Sequence, residues 1–405
     1  MYGSSQQSSL SDHYLDTTHF IITMGGDISF NSTAVTNNFA SSFINGNFIS
    51  SEDKDIVSSN MLSSNTAGGD MDAGVGISFM VDRVLHQHPY HMQLIAGVYD
   101  RQHFDTRFGK ELFELAFFGN KTFAGDTAML DNASISYLHY QQLQFGILND
   151  NGMGRRLSAS ISFLNGEKLM QLKTGDSFLY TSDIGDDLYL YANTEIWRSD
   201  TATNNNQFNG WGLSTDLMYE INYNTSESNM DGGFLRMEIN DLGFIRWNPQ
   251  SFHYNLDTTF SYSGLYIDDI FDLRDSLFSY TSDSISDSYK KWQKKQGSTI
   301  VLPTLFRLTL GQRRNRRQFM LGIWYKHLAN FTPYLYLSEG YWFNKFFNLS
   351  ARIAYGGYGK LSFGMATNLR LGGFELHAGT TNLEGVFYSK TSSGFSAFAS
   401  LSKQF

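Results

Sequence analysis

Hydrophobic and polar residues alternate with a period of two over most of this chain. LSASISFL (Leu157–Leu164) alternates strictly. KLSFGMATNLRL (Lys360–Leu371) sets Leu361, Phe363, Met365, Leu369 and Leu371 on one face and Lys360, Ser362, Gly364, Asn368 and Arg370 on the other. FELHAG continues the pattern, with Phe374, Leu376 and Ala378 opposite Glu375, His377 and Gly379. Such alternation predicts strands with one apolar and one polar face. Candidate strands lie near 18–30, 71–83, 90–102, 131–149, 154–165, 168–180, 186–198, 210–222, 231–247, 251–267, 299–311, 317–329, 331–343, 346–356, 359–371, 373–381 and 393–405. Many exceed the ~5–6 residues usual in soluble proteins. They reach the ~9–11 residues that a tilted strand needs to cross a bilayer.

The turns check the register. Gly372-Gly373 suits a two-residue hairpin, where positive φ is needed and glycine supplies it. That turn pairs Leu371 with Phe374, Arg370 with Glu375 and Asn368 with His377, like with like. The loop Gly357-Tyr358-Gly359 pairs Tyr355 with Leu361 and Gly356 with Lys360, and the faces agree again. A slip of one residue would exchange the faces. The chain is therefore read as all-β: a single closed antiparallel transmembrane β-barrel over 1–405 with short helical inserts. Bacterial barrels have an even strand number. At least one of the seventeen segments then does not span, or two belong together; 14 strands are favoured over 16.

Three stretches depart from period two. In 31–66, Val35, Phe39, Phe43 and Phe48 recur near helical spacing ahead of the polar SSEDKD, which suggests a segment in or under the lumen as a plug. A short amphipathic helix is expected near 108–118, ended by Gly119-Asn120. The segment 268–297 starts acidic and ends basic, with Ile285, Tyr289 and Trp292 at helical spacing, and reads as a helical loop insert.

Composition narrows the solvent. Aromatic residues make up 16% and charged residues only 17%, against about 25% charged in soluble domains. The polar faces are rich in Ser, Gly, Asn and Thr. Tyr and Trp gather toward strand ends at Trp247, Trp324-Tyr325, Tyr341-Trp342 and Tyr355, where an interface girdle would need them. A large soluble β-protein is the alternative; the missing blade repeat counts against a propeller. The net charge of −9 argues against a nucleic-acid partner. Cysteine is absent, which removes disulfide and thiolate chemistry. MYGSSQQSSLSDHY has neither the basic nor the apolar part of a signal peptide, so an exported chain would here be in its mature form.

Candidate chemistry is sparse. HQHPYH (His86–His91) gathers three histidines, but Pro89 and the polar setting favour a turn over a metal site. Arg313, Arg314, Arg316 and Arg317 in GQRRNRRQ read as a solvated turn, with anionic lipid head groups as the alternative contact. Asn151-Gly152 is a turn signal rather than a calcium loop. No G-x-S-x-G elbow appears, so no enzyme is expected, and no catalytic residue, metal or cofactor is assigned. Arg352, Lys360, Arg370, Glu375 and His377 would point into the lumen, as an interior charge lattice rather than an open passage.

The ending GFSAFASLSKQF resembles the closing strand of outer-membrane barrels, with Phe395, Ala397, Ala399, Leu401 and the terminal Phe405 on the lipid side and Lys403 as a departure. More broadly, LFELAFFGNKTFAG (Leu112–Gly125), GWGLSTDLMYEINY (Gly210–Tyr223), INDLGFIRWN (Ile239–Asn248) and LGGFELHAGTTN (Leu371–Asn382) resemble FadL-like and PorV-like outer-membrane barrels of Bacteroidetes, within that group an uncharacterised family. The resemblance implies about 14 strands, an N-terminal segment entering the lumen, and a place in the bacterial outer membrane among its lipids. It carries no catalytic residues. It implies one of two non-enzymatic roles: an accessory subunit of an envelope protein-export or assembly complex, or, as the alternative, a passive FadL-type channel for hydrophobic small molecules. The loops at 268–297, with Asp275, Tyr289 and Trp292, and at 382–393 are the candidate partner contacts. A channel would need a pocket leading to a lateral gap in the wall.

Overall fold

The computed structural model describes residues 20–81, 91–151, 154–200, 208–224, 232–263 and 292–405. In chain order the first strands are β1 (Phe20–Ser32), β2 (Ser64–Met80), β3 (His91–Gly109), β4 (Thr127–Met129), β5 (Ser134–Asp150), β6 (Arg155–Thr174), β7 (Phe178–Thr181) and β8 (Asp187–Arg198). They are followed by β9 (Gly210–Asn224), β10 (Gly232–Trp247), β11 (Phe252–Ser263), β12 (Gln293–Lys295), β13 (Thr299–Val301) and β14 (Leu305–Arg314). The last are β15 (Arg317–Lys326), β16 (Thr332–Trp342), β17 (Phe347–Gly357), β18 (Leu361–Leu371), β19 (Phe374–Thr380) and β20 (Gly394–Gln404). Among the described residues, four α-helices join them: α1 (Asn37–Ile44), α2 (Ser51–Asn60), α3 (Lys110–Phe118) and α4 (Leu383–Phe387).

Fourteen strands close a ring in which each pairs antiparallel with its neighbours: β1, β2, β3, β5, β6, β9, β10 and then β14 to β20. β20 pairs β19 on one side and β1 on the other, Ile21 opposite Gln404 and Asn31 opposite Gly394, so the ladder has no open seam there. The hairpin registers at Leu371/Phe374, Arg370/Glu375 and Tyr355/Leu361 are those the alternation demands. Gly372 and Gly373 sit at φ 56° and 80°, the turn geometry that glycine makes cheap.

The alternation is inside out relative to a soluble protein. Met24, Val98, Ile161, Phe163, Leu361 and Phe363 point outward and are exposed, while Ser162 and Thr309 on the inner face are fully buried. Closure satisfies the backbone, and an apolar outer face satisfies hydrocarbon. Among the described residues, no helix is long and apolar enough to cross a membrane. The protein is a bacterial outer-membrane β-barrel.

Seventeen candidate strands reduce to fourteen in the ring for two reasons. The segments 154–165 and 168–180 share one long strand, β6, which runs past the end of β9. The segments 186–198 and 251–267 are β8 and β11, which pair with each other; β8 also pairs with the upper part of β6, as an extension of the wall. β4 and β7 complete that extension, and β12 edges β11.

The ring has two unlike ends. At one lie the start of β1, the end of β20 and the connections 315–316, 343–346 and 372–373. At the other lie the connections 33–63, 110–133, 248–304 and 381–393. Outer-membrane barrels carry short periplasmic turns and longer outer loops, so the first end faces the periplasm and the second the cell exterior.

The 31–66 stretch is not a lumen plug. It comprises the end of β1, the helices α1 and α2, and the start of β2, and it stands on the outer rim. Phe39, Val57 and Met61 pack with Phe113 of α3, and with Phe43, Phe117 and the outward-facing Phe108 of β3. The helical spacing read from the sequence was real, but the cover for that apolar face is α3 rather than the barrel interior. Thr36 and Ser50 cap α1 and α2. Asp53 accepts from Ser50 Oγ at 2.7 Å and Asn38 Nδ2 at 2.8 Å. The Ser50 hydroxyl first, then Asn38, hold its carboxyl below the ordinary value. Most of the 268–297 insert lies outside the described residues. Of its described part, Trp292 is helical and Gln293–Lys295 is the strand β12, which finds a partner in Phe252–Tyr254 of β11.

Candidate functional site

The lumen is crossed by ion pairs. Lys326 of β15 and Asp70 of β2, on opposite sides of the ring, meet at 2.6 Å between Nζ and Oδ2. Asp70 Oδ1 faces His103 Nδ1 at 2.6 Å, and His103 Nε2 faces the Tyr140 hydroxyl at 3.3 Å. Arg101 of β3 reaches across to Asp241 of β10 at 3.2 Å and donates to Gln142 at 2.6 Å. Asp241 sits at φ 55° in a β-bulge that interrupts the β9–β10 register between Ile239 and Leu242. A bulge re-aims a side chain, and here its backbone N–H donates to Asp216 at 2.6 Å. Nearer the periplasm, Arg156 bridges Asp150 and Glu220, Arg236 shares Glu220, and Arg307 meets Glu238. Charges buried in this way are tolerable because each is paired and hydrogen-bonded. Together they make a buried, charged layer across the lumen, a floor beneath the exterior mouth.

Above the floor, toward the exterior, is a chamber of about 280 Å³ bordered by Asp70, Trp324, Phe331, Tyr334, Arg352 and Tyr358, among others. The β15–β16 loop folds inward to build it: Asn330 Nδ2 donates to Asp105 Oδ2 at 2.9 Å and Ser134 Oγ at 3.0 Å on the far wall. Phe331 stacks on Trp324 with centroids 4.9 Å apart and meets Tyr358 edge-on at 5.2 Å. Burial pushes the Tyr358 phenol well above its ordinary range. The Arg352 guanidinium lies 4.5 Å over the Tyr336 ring.

The chamber opens on a break in the wall. β19 ends at Thr380, and its ladder with β18 covers only Met365–Leu371. Its ladder with β20 stops at Phe398. Leu361–Gly364 of β18 and Gly394–Ala397 of β20 therefore face one another with no strand between them. Two strand spacings leave about 9.5 Å, and a helix with its side chains is about 10–12 Å wide. α4 occupies this slot and touches both strands. Glu384 Oε2 accepts the free backbone N–H of Phe363 at 3.2 Å, which an unpaired edge in hydrocarbon requires. Asn382 Nδ2 donates to Asn31 Oδ1 at 2.8 Å, and Thr381 N–H to Ser396 Oγ at 2.7 Å. Asn37 at the start of α1 donates to Gly394 O at 2.8 Å and Ser392 Oγ at 2.9 Å, which ties the rim helices to the 381–393 connection, the plug loop of the slot. Val386, Phe387 and Tyr388 stand exposed on the other side of the slot.

The five lumen residues named from the sequence do not form one site. Arg352 and Lys360 border the mouth chamber. Arg370 and Glu375 pair at 3.4 Å at the periplasmic end, where Asn368 also bonds Glu375. His377 lies beside Phe398, centroids 5.1 Å apart. Phe395, Leu401 and Phe405 face outward on the closing strand, and Phe405 packs on Phe20 at 5.7 Å. Asp275 and Tyr289 lie outside the described residues, as do His86 and His88. Trp292 packs edge-on against Phe260 of β11 at 5.8 Å. Sequence reading missed Asp70, Arg101, His103, Asp241 and Lys326; their signal was a charge at an inward position of an otherwise apolar-alternating strand. It also missed the slot, whose signal was the shortness of the alternating run 373–381.

Among the described residues, one cluster has the makings of a cation site: Asp100, His139 and Glu167 on the outward wall. The ring nitrogens of His139 already face Asp100 at 2.8 Å and Glu167 at 3.2 Å, so a metal would have to displace one carboxylate contact.

Residues 20–381 match a single family model. The chain belongs to the family of unknown function DUF5723. No curated protein matches it. Solved structures similar to this DUF5723 barrel include a TodX deltaS2S3 mutant monoaromatic hydrocarbon channel, at 8% identity over 96% of this chain and 91% of that one, TM-score 0.47. The Pseudomonas putida toluene transporter TodX has 9% identity over 96% and 90%, TM-score 0.41. The translocator domain of the autotransporter NalP from Neisseria meningitidis has 9% identity over 98% and 91%, TM-score 0.36.

Proposed function

We propose that this DUF5723 barrel is a non-enzymatic, passive route by which small hydrophobic molecules leave the cell exterior, enter the mouth chamber and pass sideways into the membrane through the slot closed by α4. The observation that carries this reading is the wall itself: β19 stops short and a five-residue helix stands where a strand would seal the barrel. The ion-paired floor supports it, because a solute in the chamber has no straight way on to the periplasm. The aromatic lining of Trp324, Phe331, Tyr334 and Tyr358 supports it as well, since such rings give apolar contact area with few fixed polar demands.

The chain has no cysteine, so a disulfide lock can be introduced cleanly. Asn31→Cys with Asn382→Cys should cross-link the plug loop to β1 across a contact of 2.8 Å. Intact cells carrying the oxidised variant should lose uptake of a fluorescent hydrophobic probe, and reductant should restore it. Uptake that ignores the oxidation state refutes the lateral route.

A second reading, an accessory subunit of an envelope export or assembly complex beside PorV-like barrels of Bacteroidetes, draws on the exposed Ile44 and Phe48 of the rim. Large exposed apolar side chains grouped on a rim suit a protein contact. Co-purification of a stoichiometric partner that is lost on Ile44→Ser/Phe48→Ser substitution would favour it.

A further inference from the structure

One arc of the periplasmic rim carries a charge opposite to that of the chain. Arg314, Arg316 and Arg317 crowd the β14–β15 turn, Lys345 stands in the β16–β17 turn, and Lys403 lies at the end of β20. These connections are neighbours along one half of the ring, β14 to β20. The chain as a whole has a net charge of −9, so this arc is no reflection of composition. Arg317 has Glu339 at 3.7 Å, an exposed pair of little strength. Arg314, Arg316, Lys345 and Lys403 have no carboxylate within ion-pair distance among the described residues.

Each part of the arc comes with aromatic rings. Lys403 lies 4.1 Å over Phe374 and 5.7 Å from Phe405; Lys345 lies 4.9 Å over Phe346. Arg313 and Arg370 both sit over Trp342, at 5.5 and 4.5 Å. Arg316 donates to the carbonyl of Phe343, itself packed on Tyr341 with centroids 5.0 Å apart. Phe343, Phe346, Phe374 and Phe405 are exposed at the edge of the lipid-facing band. Rings of this kind mark the boundary of hydrocarbon, and cations beside them reach up to head-group depth. An acidic soluble partner would call for the cations but not for the rings.

We propose that this arc binds the phosphate groups of anionic phospholipids in the periplasmic leaflet, and so fixes the height and tilt of one side of the barrel. The test is native mass spectrometry of the full folded chain, with folding checked by heat-modifiable gel mobility, in equimolar phosphatidylglycerol and phosphatidylethanolamine. The wild-type chain should retain phosphatidylglycerol preferentially. In Arg314→Ser/Arg316→Ser/Lys345→Ser each lost cation should lower that preference about fivefold. Lys294→Ser/Lys295→Ser, exposed at the opposite end, should leave it unchanged. If the triple variant does not fold, Arg316→Ser alone should still show the single fivefold step. Equal retention of both lipids by the wild type, or an unchanged preference in the rim variants, overturns the proposal. So does an acidic protein that co-purifies from native membranes with the wild type and not with the variant while lipid preference stays constant.

Discussion

The decisive residues are small or polar and owe their importance to position. Gly385 in α4 lies against the carbonyl oxygen of Gly394: a Cβ there would stand 2.1 Å from that atom and 2.9 Å from Asn37 Nδ2. Leucine at 385 therefore cannot enter the slot without moving the helix. Overpacking costs about 1–3 kcal/mol, and if the cost falls on the closed form, the open population rises by about 5–150-fold. Cells carrying Gly385→Leu should take up a hydrophobic probe faster than wild type at equal levels of folded barrel; equal uptake would show that α4 is a fixed part of the wall. Asp53 makes a pH prediction. Its folded pKa lies below its ordinary value of 3.8, so it stabilises the rim helices above that value and the contribution fades as pH falls through the lower folded value. A spin label at Ile44→Cys should hold its mobility down to pH 3.8 and become more mobile as pH falls further, and Asp53→Asn should be mobile throughout. None of this was legible from residue types. Gly385 and Asn37 matter because they are neighbours in space, and the sequence separates them by most of its length.

At the scale of elements, the sequence was most readable where one strand turns directly into the next. From Phe319 to Leu371 the outward positions are apolar apart from Glu339 and Thr367, and the hairpin registers follow from face matching alone. It was least readable around 154–263. There β6, β8 and β11 alternate like spanning strands but rise above the ring as an extension, and alternation cannot tell wall from extension because each has one covered face. The inner side of that region is apolar rather than charged: Leu138, Tyr140, Leu164, Leu169, Ile245, Trp247 and Leu302 form a buried cluster where β5, β6 and β10 leave the barrel. Trp247 is 1% exposed, so Trp247→Ala should cost about 3–5 kcal/mol. A urea titration should show the midpoint falling with barrel and extension unfolding in one transition; a separate early transition would mean that the extension is an independent unit. The same element logic explains why 31–66 sits on the rim. β1 and β2 pair in register up to Ser32 and Ala67, so whatever joins them must begin and end at the outer edge.

For the whole molecule, the lumen floor and the wall slot are parts of one design, because a lateral route needs the axial one shut. The floor depends on contacts between opposite walls, chiefly Lys326 with Asp70 and Arg101 with Asp241. Net charge and composition gave no hint of it; the partners lie on strands far apart in the chain, β2 with β15 and β3 with β10, and only closure of the ring brings them together. Removing one member of a buried pair costs about 3–5 kcal/mol, whereas replacing both by uncharged groups of similar size is often neutral. Lys326→Ala should therefore lower the urea midpoint and, in planar bilayers, turn a silent barrel into one that leaks ions. Asp70→Asn/Lys326→Met should recover the stability, since no uncompensated charge remains. Its conductance then separates two causes of closure. If the double variant is silent, packing alone shuts the lumen; if it leaks while fully stable, the ion pair itself is the bolt. In either case the lateral route predicts that uptake of a hydrophobic probe through the α4 slot is the same in the double variant as in the wild type, because that path never crosses the floor. A double variant with intact stability and altered probe uptake would mean that the solute passes along the barrel axis after all.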